Sequence, residues 1–239
     1  MNITAEKTVR ELALEQSGAA RVFEKVGIDY CCGGKQTLEQ ACRAANVEVD
    51  RLLDALEAAQ RVEPANLRNW QTEPLSELIA HIKNTHHRYV REETARLGPL
   101  FDKVCSVHGE HHPELLELRA TFQGLAEELG AHLMKEEMVL FPYMERMEES
   151  VLQKEPILPP PFGTVQNPVA MMEHEHESAG LALRALRVSS HGYLVPADAC
   201  VSYQTLYKAL AEFEADLHQH IHLENNILFP RAIEMEKSQ

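Results

Sequence analysis

One pattern of residues occurs twice in the chain and decides its fold. It reads His132-Leu133-Met134-Lys135-Glu136 followed by Phe141-Pro142, and His220-Ile221-His222-Leu223-Glu224 followed by Phe229-Pro230. The two copies are offset by 88 residues (220 − 132, 224 − 136 and 229 − 141). On a helix, a His and a Glu four residues apart project from adjacent turns, about 6 Å apart along the axis. We therefore predict that two helices face each other and offer two His and two Glu to a pair of metal ions.

The composition of the 239-residue chain favours an all-α protein. Helix-forming residues are abundant, only 6% of the residues are aromatic, and runs of alternating β-branched residues are scarce. The formal net charge of −14 argues against nucleic acid and against an anionic membrane surface as partners. No stretch approaches the roughly 20 apolar residues that a membrane-spanning helix needs.

The beginning of the chain and its Cys content predict a cytoplasmic protein. Residues 1–7 lack the basic and apolar segments of a signal peptide. Five Cys are an odd number, and their spacing fits no disulfide framework, so a reducing compartment is favoured. Cys42, Cys105 and Cys200 are interpreted as ordinary packing residues. Both a monomer and a homodimer are compatible with the sequence.

Four long helices are predicted for residues 75–239, arranged as an up-down-up-down bundle. They begin near Leu75, Pro113, Asn167-Pro168 and Pro196. The Pro-rich segment 148–166 is predicted to be the long connection in the middle. The apolar stripe of the second helix is predicted to contain Leu115, Leu118, Phe122, Leu125, Leu129 and Val139.

The first part of the chain is predicted to be a separate small helical domain, residues 1–62. Thr8 with Glu11, and Thr37 with Gln40, have the spacing of capping boxes at helix starts. Gly27 is predicted to end a helix. Residues 63–74 contain two Pro and lose the helical periodicity, so they are interpreted as a linker to the bundle.

The loop Cys31-Cys32-Gly33-Gly34-Lys35 has two interpretations. A buried thiol packs like a small hydrophobic side chain, so one Cys could simply fill the core of the small domain. The interpretation we favour is functional: thiols near a helix start and Lys35 are biased toward the thiolate, and Gly lets the backbone approach a ligand closely. A disulfide between adjacent Cys would be strained. Cys31 and Cys32 are therefore candidates for a thiol relay to a partner.

The candidate metal ligands fall on the apolar stripes of their helices. His132 and Glu136 lie with the core positions of the second helix, His220 and Glu224 with those of the fourth, and His176 lies on the stripe of the third. Burying polar side chains costs free energy unless they form hydrogen bonds or bind a metal. Several such side chains at the same depth of the bundle therefore favour a metal site. On the first helix, helical periodicity favours His86 over His87 as the ligand. The number of residues between this helix and His132, compared with the number between His176 and His220, does not distinguish the two.

These features together resemble the repair-of-iron-centres family of hemerythrin-like di-iron proteins. The doubled motif, the bundle and the Asp29-Tyr30-Cys31-Cys32-Gly33-Gly34-Lys35 run carry the resemblance over nearly the whole chain. It implies two iron ions with a bridging oxo or hydroxo group and two bridging Glu. It also favours His87 over His86. The ligand set implied by the resemblance is His87, His132, Glu136, His176, His220 and Glu224.

The resemblance implies repair of iron–sulfur clusters damaged by nitrosative or oxidative stress, by iron donation or by nitric oxide chemistry. Damaged iron–sulfur proteins would then be the partners, and nitric oxide or oxygen the small ligands. Two alternatives stay open: a nitric oxide reductase that forms nitrous oxide, and a carrier or sensor of oxygen or nitric oxide. Glu128 and Glu175 are candidate neighbours of the ligands, whereas Glu137 is interpreted as a solvated surface residue.

Overall fold

In the first part of the chain, the described residues form four short helices: α1 (Val9–Glu15), α2 (Ala19–Val26), α3 (Leu38–Ala45) and α4 (Val49–Arg61). Both predicted capping boxes are present. The Thr8 hydroxyl accepts from the Glu11 N–H while the Glu11 carboxylate accepts from the Thr8 N–H, and Thr37 and Gln40 repeat this arrangement. Gly27 ends α2 in the left-handed conformation with φ +71°, as predicted.

Four long helical stretches follow, and three of them contain a π-helical turn. This computed structural model describes residues 3–16, 18–31, 33–61 and 68–238, and the side chains of these residues except those of 60 and 61. The regular elements of this part of the chain are all helical, which confirms the all-α prediction. The long stretches consist of α5 (Leu75–Ile82), a π-turn (Lys83–His87) and α6 (Arg88–His108); α7 (Glu114–Lys135), a π-turn (Glu136–Leu140) and α8 (Phe141–Gln153); α9 (Gln166–Ser189); and α10 (Val201–Leu223), a π-turn (Glu224–Leu228) and α11 (Phe229–Lys237).

The chain divides into two compact units. One consists of Met1–Pro74 with His218–Arg231, and the other of Leu75–Leu217 with Ala232–Gln239. In the first unit, α1 to α4 enclose a core that includes Leu12, Phe23 and Tyr30. In the second unit, α7 packs against both α6 and α9, and α5 packs against α8. Aromatic rings connect its helices, since Phe122 lies against both Phe101 and Phe213.

One buried and one half-buried carboxylate hold the starts of two helices in the second unit. Glu148 accepts hydrogen bonds from the backbone N–H groups of Leu75 and Ser76, at 2.6 and 2.9 Å, and so satisfies the first turn of α5. Glu236 accepts from the Val165 N–H just before α9 and from the Tyr143 hydroxyl at 2.8 Å. These contacts fix the start of the helix that leads to His87 and the start of the helix that carries His176.

Some predicted boundaries and one core position were wrong. α8 continues to Gln153, so the connection in the middle is shorter than the predicted 148–166, and α10 begins at Val201 rather than near Pro196. Val139 is 47% exposed, whereas Leu140 is 1% exposed and fills the core. The π-turn Glu136–Leu140 explains this exchange of core positions, because it contains one residue more than an α-helical turn and so rotates the side chains that follow. No described helix has the length and hydropathy of a membrane span.

Candidate metal centre

Each of the three π-turns begins or ends at a predicted ligand. His87 is the last residue of the first, Glu136 is the first residue of the second, and Glu224 is the first residue of the third. Single π-turns inside α-helices are rare and are frequent at functional sites. The irregular turns therefore coincide with the candidate ligands.

The first π-turn separates His87 from His86. Both are buried, but the Nε2 atom of His87 lies 3.4 Å from Oε2 of Glu136, whereas Nδ1 of His86 lies 3.0 Å from Oδ1 of Asp216. Uniform helical periodicity preferred His86 because it assumes 100° per residue, and the π-turn Lys83–His87 violates that assumption. The structure therefore brings His87, the residue favoured by the resemblance, to the other candidate ligands.

Six buried side chains form two groups that share two members. Ligand atoms of the first group all lie within 4.8 Å of one another, and so do those of the second. Both groups contain Glu136 and Glu224, and each adds its own pair of imidazoles. The first group adds His87 and His220, and the second adds His132 and His176. All six predicted ligands thus lie together, away from solvent.

The Nε2 atoms of the imidazoles point toward this cluster. Oε2 of Glu136 lies 3.4 Å from Nε2 of His87 and 3.4 Å from Nε2 of His132. Nε2 of His132 lies 3.0 Å from Nε2 of His176. Nε2 of His220 lies 3.0 Å from Oε1 of Glu224, so both i, i+4 pairs approach each other as their helical spacing predicted.

Outer carboxylates orient one imidazole of each group. Nδ1 of His87 donates to Glu137 at 2.7 Å, and Glu137 also accepts from Arg91 at 2.8 Å. Burial alone raises the pKa of Glu137, but the hydrogen bonds from His87 and Arg91 outweigh it and hold the pKa below its ordinary value. The proton on Nδ1 leaves Nε2 unprotonated and able to bind a metal. The interpretation of Glu137 as a solvated surface residue was therefore wrong.

The second group has the same arrangement. Nδ1 of His132 donates to Glu175 at 2.8 Å, and the Lys135 ammonium donates to the other oxygen of Glu175. Burial raises the pKa of Glu175, and the contacts with Lys135 and His132 lower it further than burial raises it. The carboxylate is thus ionised at neutral pH. Glu137 and Glu175 hold matching positions, each between an imidazole and a cationic side chain.

A cavity of about 290 Å³ opens beside the second pair of imidazoles. His132 and His176 line it together with apolar side chains that include Leu125 and Leu129. Glu128, predicted to be near the ligands, lines the same cavity. A cavity of this size and lining admits a small neutral molecule.

The thiols occupy different environments. Cys31 is buried, and both its N–H and its thiol donate to Oδ1 of Asp29, at 3.0 and 3.2 Å, while Cys32 lies outside the described residues. Cys42 and Cys105 are buried as predicted for packing residues. Cys200 is exposed, so its interpretation as a packing residue was wrong. Backbone N–H of Tyr203 and the side chain of His108 lower the pKa of Cys200 to about 7.

Gly34 lies in a close contact within the loop that contains Cys31. A Cβ atom on Gly34 would lie 2.6 Å from the carbonyl oxygen of Tyr30. Gly34 therefore permits close approach of two parts of the same loop.

The donor set and its surroundings define a class of protein. Four imidazoles and two carboxylates without a thiolate, all buried in a helical bundle, suit transition-metal cations such as iron or manganese. They do not form the thiolate set of a structural zinc site or the oxygen cage of magnesium or calcium. The fold and the site thus define a helical-bundle protein that binds metal cations.

Comparison with known proteins identifies the family. The sequence model described as "Hemerythrin HHE cation binding domain" matches residues 78–232, and the chain belongs to this family. A second model, described as "Domain of Unknown function (DUF542)", matches residues 5–60. The similarity predicted from the motifs is confirmed.

Curated relatives cover nearly the full length. The iron–sulfur cluster repair protein YtfE of Musicola paradisiaca is 35% identical over 231 residues, which are 97% of this chain and 98% of the relative. The protein of the same name from Yersinia pseudotuberculosis is 36% identical over 225 residues, 94% and 96% of the two chains. That of Pectobacterium carotovorum is 34% identical over 231 residues, 97% and 98%.

Proposed function

We propose that this chain binds two iron ions, connected by an oxo or hydroxo bridge, and repairs iron–sulfur clusters damaged by nitrosative or oxidative stress. Damaged iron–sulfur proteins would be its partners. The names and full-length coverage of the relatives support the activity. The observation that carries the metal assignment is the sharing of Glu136 and Glu224 by two pairs of imidazoles. A carboxylate has two oxygens, so each Glu can contact two ions at once.

The proposed ligands divide between the ions by pairs. His87 and His220 would hold one ion, His132 and His176 the other, and Glu136 and Glu224 would bridge them. When bound, the irons would supply exchangeable coordination positions and redox chemistry. Glu137 and Glu175 keep a proton on Nδ1 of the imidazole that each contacts, which fixes the tautomer and the ring orientation.

The cavity beside His132 and His176 supports access by a small neutral molecule such as nitric oxide or oxygen. It favours a second candidate function at the same centre, the reductive coupling of nitric oxide. Two molecules of nitric oxide, two electrons and two protons give one molecule of nitrous oxide and one of water, so an external electron donor is required. Steady formation of nitrous oxide by reduced protein would support this function, and its absence would reject it.

We propose different roles for the two predicted domains and the linker between them. Residues 1–62 would carry the thiols, residues 63–74 would connect them, and residues 75–239 would carry the metal centre. Cys31 and Cys32 would relay nitrosyl groups or iron to the partner, and the reducing cytoplasm would keep them as thiols. Replacement of both by Ser should leave the iron content unchanged and remove repair; full repair by the double variant would reject the relay.

Metal analysis and Mössbauer spectroscopy of the isolated protein test the centre. We expect two bridged irons in the wild type and loss of two-iron loading in Glu136→Gln and Glu224→Gln. Glu173→Gln, on the exposed face of α9, is the matched control and should load normally. Repair is measured as recovered activity of a nitric-oxide-treated iron–sulfur dehydratase. Retention of two irons by both ligand variants would reject the proposed centre.

A further inference from the structure

Asn226 occupies the centre of a buried hydrogen-bond network in the first unit. It is 6% exposed and lies in the π-turn Glu224–Leu228, two residues after Glu224. Its side-chain Nδ2 donates to the carbonyl oxygen of Tyr30 at 3.1 Å and lies 2.8 Å from Nδ1 of His222. A carbonyl oxygen can only accept, so the side-chain NH₂ group of Asn226 must face Tyr30. Its two hydrogens are directed to the Tyr30 carbonyl and to Nδ1 of His222.

The residue that Asn226 contacts is the one before Cys31. Tyr30 is fully buried, its ring lies edge-on to that of His222 with centroids 5.4 Å apart, and its hydroxyl donates to Glu24 at 2.7 Å. The Tyr30 side chain thus contacts Glu24 and His222, while its backbone carbonyl accepts from Asn226. We call the described residues 29–31 and 33–34 the Cys31 loop.

Arg10 closes the network from α1. Its guanidinium donates to the backbone carbonyl of Asn226 at 3.3 Å, and its backbone N–H donates to the carbonyl of Gly34 at 2.9 Å. The absence of a Cβ on Gly34 lets it lie against the Tyr30 carbonyl, the same group that Asn226 binds. Displacement of the π-turn would therefore be transmitted to both ends of the Cys31 loop.

We propose that Asn226 is a positioning residue that couples the Cys31 loop to the metal centre. This inference rests on the proposed metal centre and adds a link between its occupancy and the thiol. Metal binding at Glu224 would restrain the π-turn, hold the Asn226 amide against the Tyr30 carbonyl and keep Cys31 buried. Because coupling between two sites is reciprocal, opening of the loop would weaken metal binding by the same factor.

The rate of Cys31 alkylation measures the coupling. Cys31 is buried, so the reagent reaches its thiol only when the loop opens. Mass spectrometry with fragmentation separates Cys31 from the other cysteines. In the wild type, removal of the metal should accelerate alkylation. In metal-free Asn226→Asp the rate of Cys31 alkylation should be about tenfold higher than in metal-free wild type, since the isosteric carboxylate cannot donate to the Tyr30 carbonyl.

The ratio of the metal-free to the metal-loaded rate distinguishes coupling from simple support of the loop. We expect this ratio to exceed one in the wild type and to fall to about one in Asn226→Asp. Asn84→Asp is the matched control: Asn84 is an exposed Asn in the π-turn Lys83–His87, and the same charge change there should leave the ratio at its wild-type value. Asn226→Ala, which adds no charge, is measured beside it and should behave as Asn226→Asp does.

Amide hydrogen exchange of residues 28–36 provides a second measurement that does not depend on thiol chemistry. Ferrous iron is the added metal, and zinc is a redox-silent second probe, so the ratio can be read even if the protein does not hold two irons. Failure of two-iron loading in the wild type would reject the proposed function alone. An Asn226→Asp ratio equal to that of wild type, with exchange equally dependent on metal, would overturn the coupling.

Discussion

Replacing Glu137 or Glu175 by Gln should weaken metal binding at one pair of imidazoles at a time. The Gln oxygen can still accept from Nδ1 of His87 or His132, so the imidazole keeps a partner but loses the negative charge that the bond includes. A hydrogen bond to a charged group contributes about 1.5–3 kcal/mol and a neutral one ~1 kcal/mol. The difference is about 0.5–2 kcal/mol, or roughly 2- to 30-fold in affinity.

Exposure does not reduce this estimate much. The side chains of Glu137 and Glu175 are only 22% and 29% exposed, so solvent screens the bond to the imidazole weakly. Arg91 is 52% exposed, and its contact with Glu137 contributes little by comparison. The expected loss therefore comes from the weakened hydrogen bond to the imidazole. Its upper part overlaps the loss of about 10- to 100-fold that is usual for groups that orient metal ligands.

Competition with a chromophoric chelator measures the affinity of the metal-free variants for ferrous iron. Glu137→Gln should weaken the ion held with His87, and Glu175→Gln the ion held with His132. Glu173→Gln lies two residues before Glu175 on an exposed face of α9 and serves as the control. Affinities of both variants within twofold of this control would refute the argument that the outer carboxylates support the ligands.

Three further predictions concern groups away from the metal ligands. Alkylation of Cys200 should reach half its maximal rate near pH 7, and His108→Ala should move the midpoint to higher pH, as followed by mass spectrometry. Glu148→Gln should lower the free energy of unfolding by about 1–2 kcal/mol in denaturant titrations, because it weakens the cap of α5, whereas the exposed Glu149→Gln should not. The pKa of Glu236 is lowered: burial raises it, but contacts with Thr164, Val165 and Tyr143 outweigh burial. The Glu236 carboxylate therefore stabilises the fold fully at pH values above its pKa in the unfolded chain, about 4.5. This stabilisation is lost as the pH falls through its lower pKa in the folded protein. The stability difference between wild type and Glu236→Gln should shrink on acidification, as measured by unfolding at several pH values.

Each of these predictions has a contradicting result. A Cys200 midpoint near 9 would mean that His108 and the start of α10 do not stabilise the thiolate. Equal stability of Glu148→Gln and Glu149→Gln would remove Glu148 as the cap of α5. A stability difference for Glu236→Gln that is independent of pH would show that its carboxylate does not titrate below its ordinary pKa in the folded protein.

Local patterns in the sequence predicted much of the fold. The capping boxes at Thr8 and Thr37 are where they were expected, because the contacts involved span three residues. The His–Glu spacing likewise predicted two pairs on adjacent helical turns, and the structure gives separations of 3.4 and 3.0 Å. Helix ends were less accurate, as α8 and α10 show, because packing rather than propensity sets them.

The π-turns explain where periodicity failed. His86 was preferred to His87, and Val139 was placed in the core instead of Leu140, because a uniform helical period was assumed. An inserted residue costs helical regularity and is retained where tertiary contacts compensate for it. Phe-Pro directly follows the second and third π-turns, at residues 141–142 and 229–230, but the π-turn Lys83–His87 is followed by Arg88-Tyr89 and lacks this signal. The resemblance to a known family, rather than the physical pattern, favoured His87.

The sequence alone determined the features that depend on residues one or two helical turns apart. These are the all-α class, the capping boxes and the two His–Glu pairs. The tertiary structure alone decided the partners of the ligands. Glu137 meets His87 across 50 residues, Glu175 meets His132 across 43, and Asn226 meets Tyr30 across 196. Side chains this far apart in the chain come together only when the helices pack, so no local spacing records which of them will share a hydrogen bond.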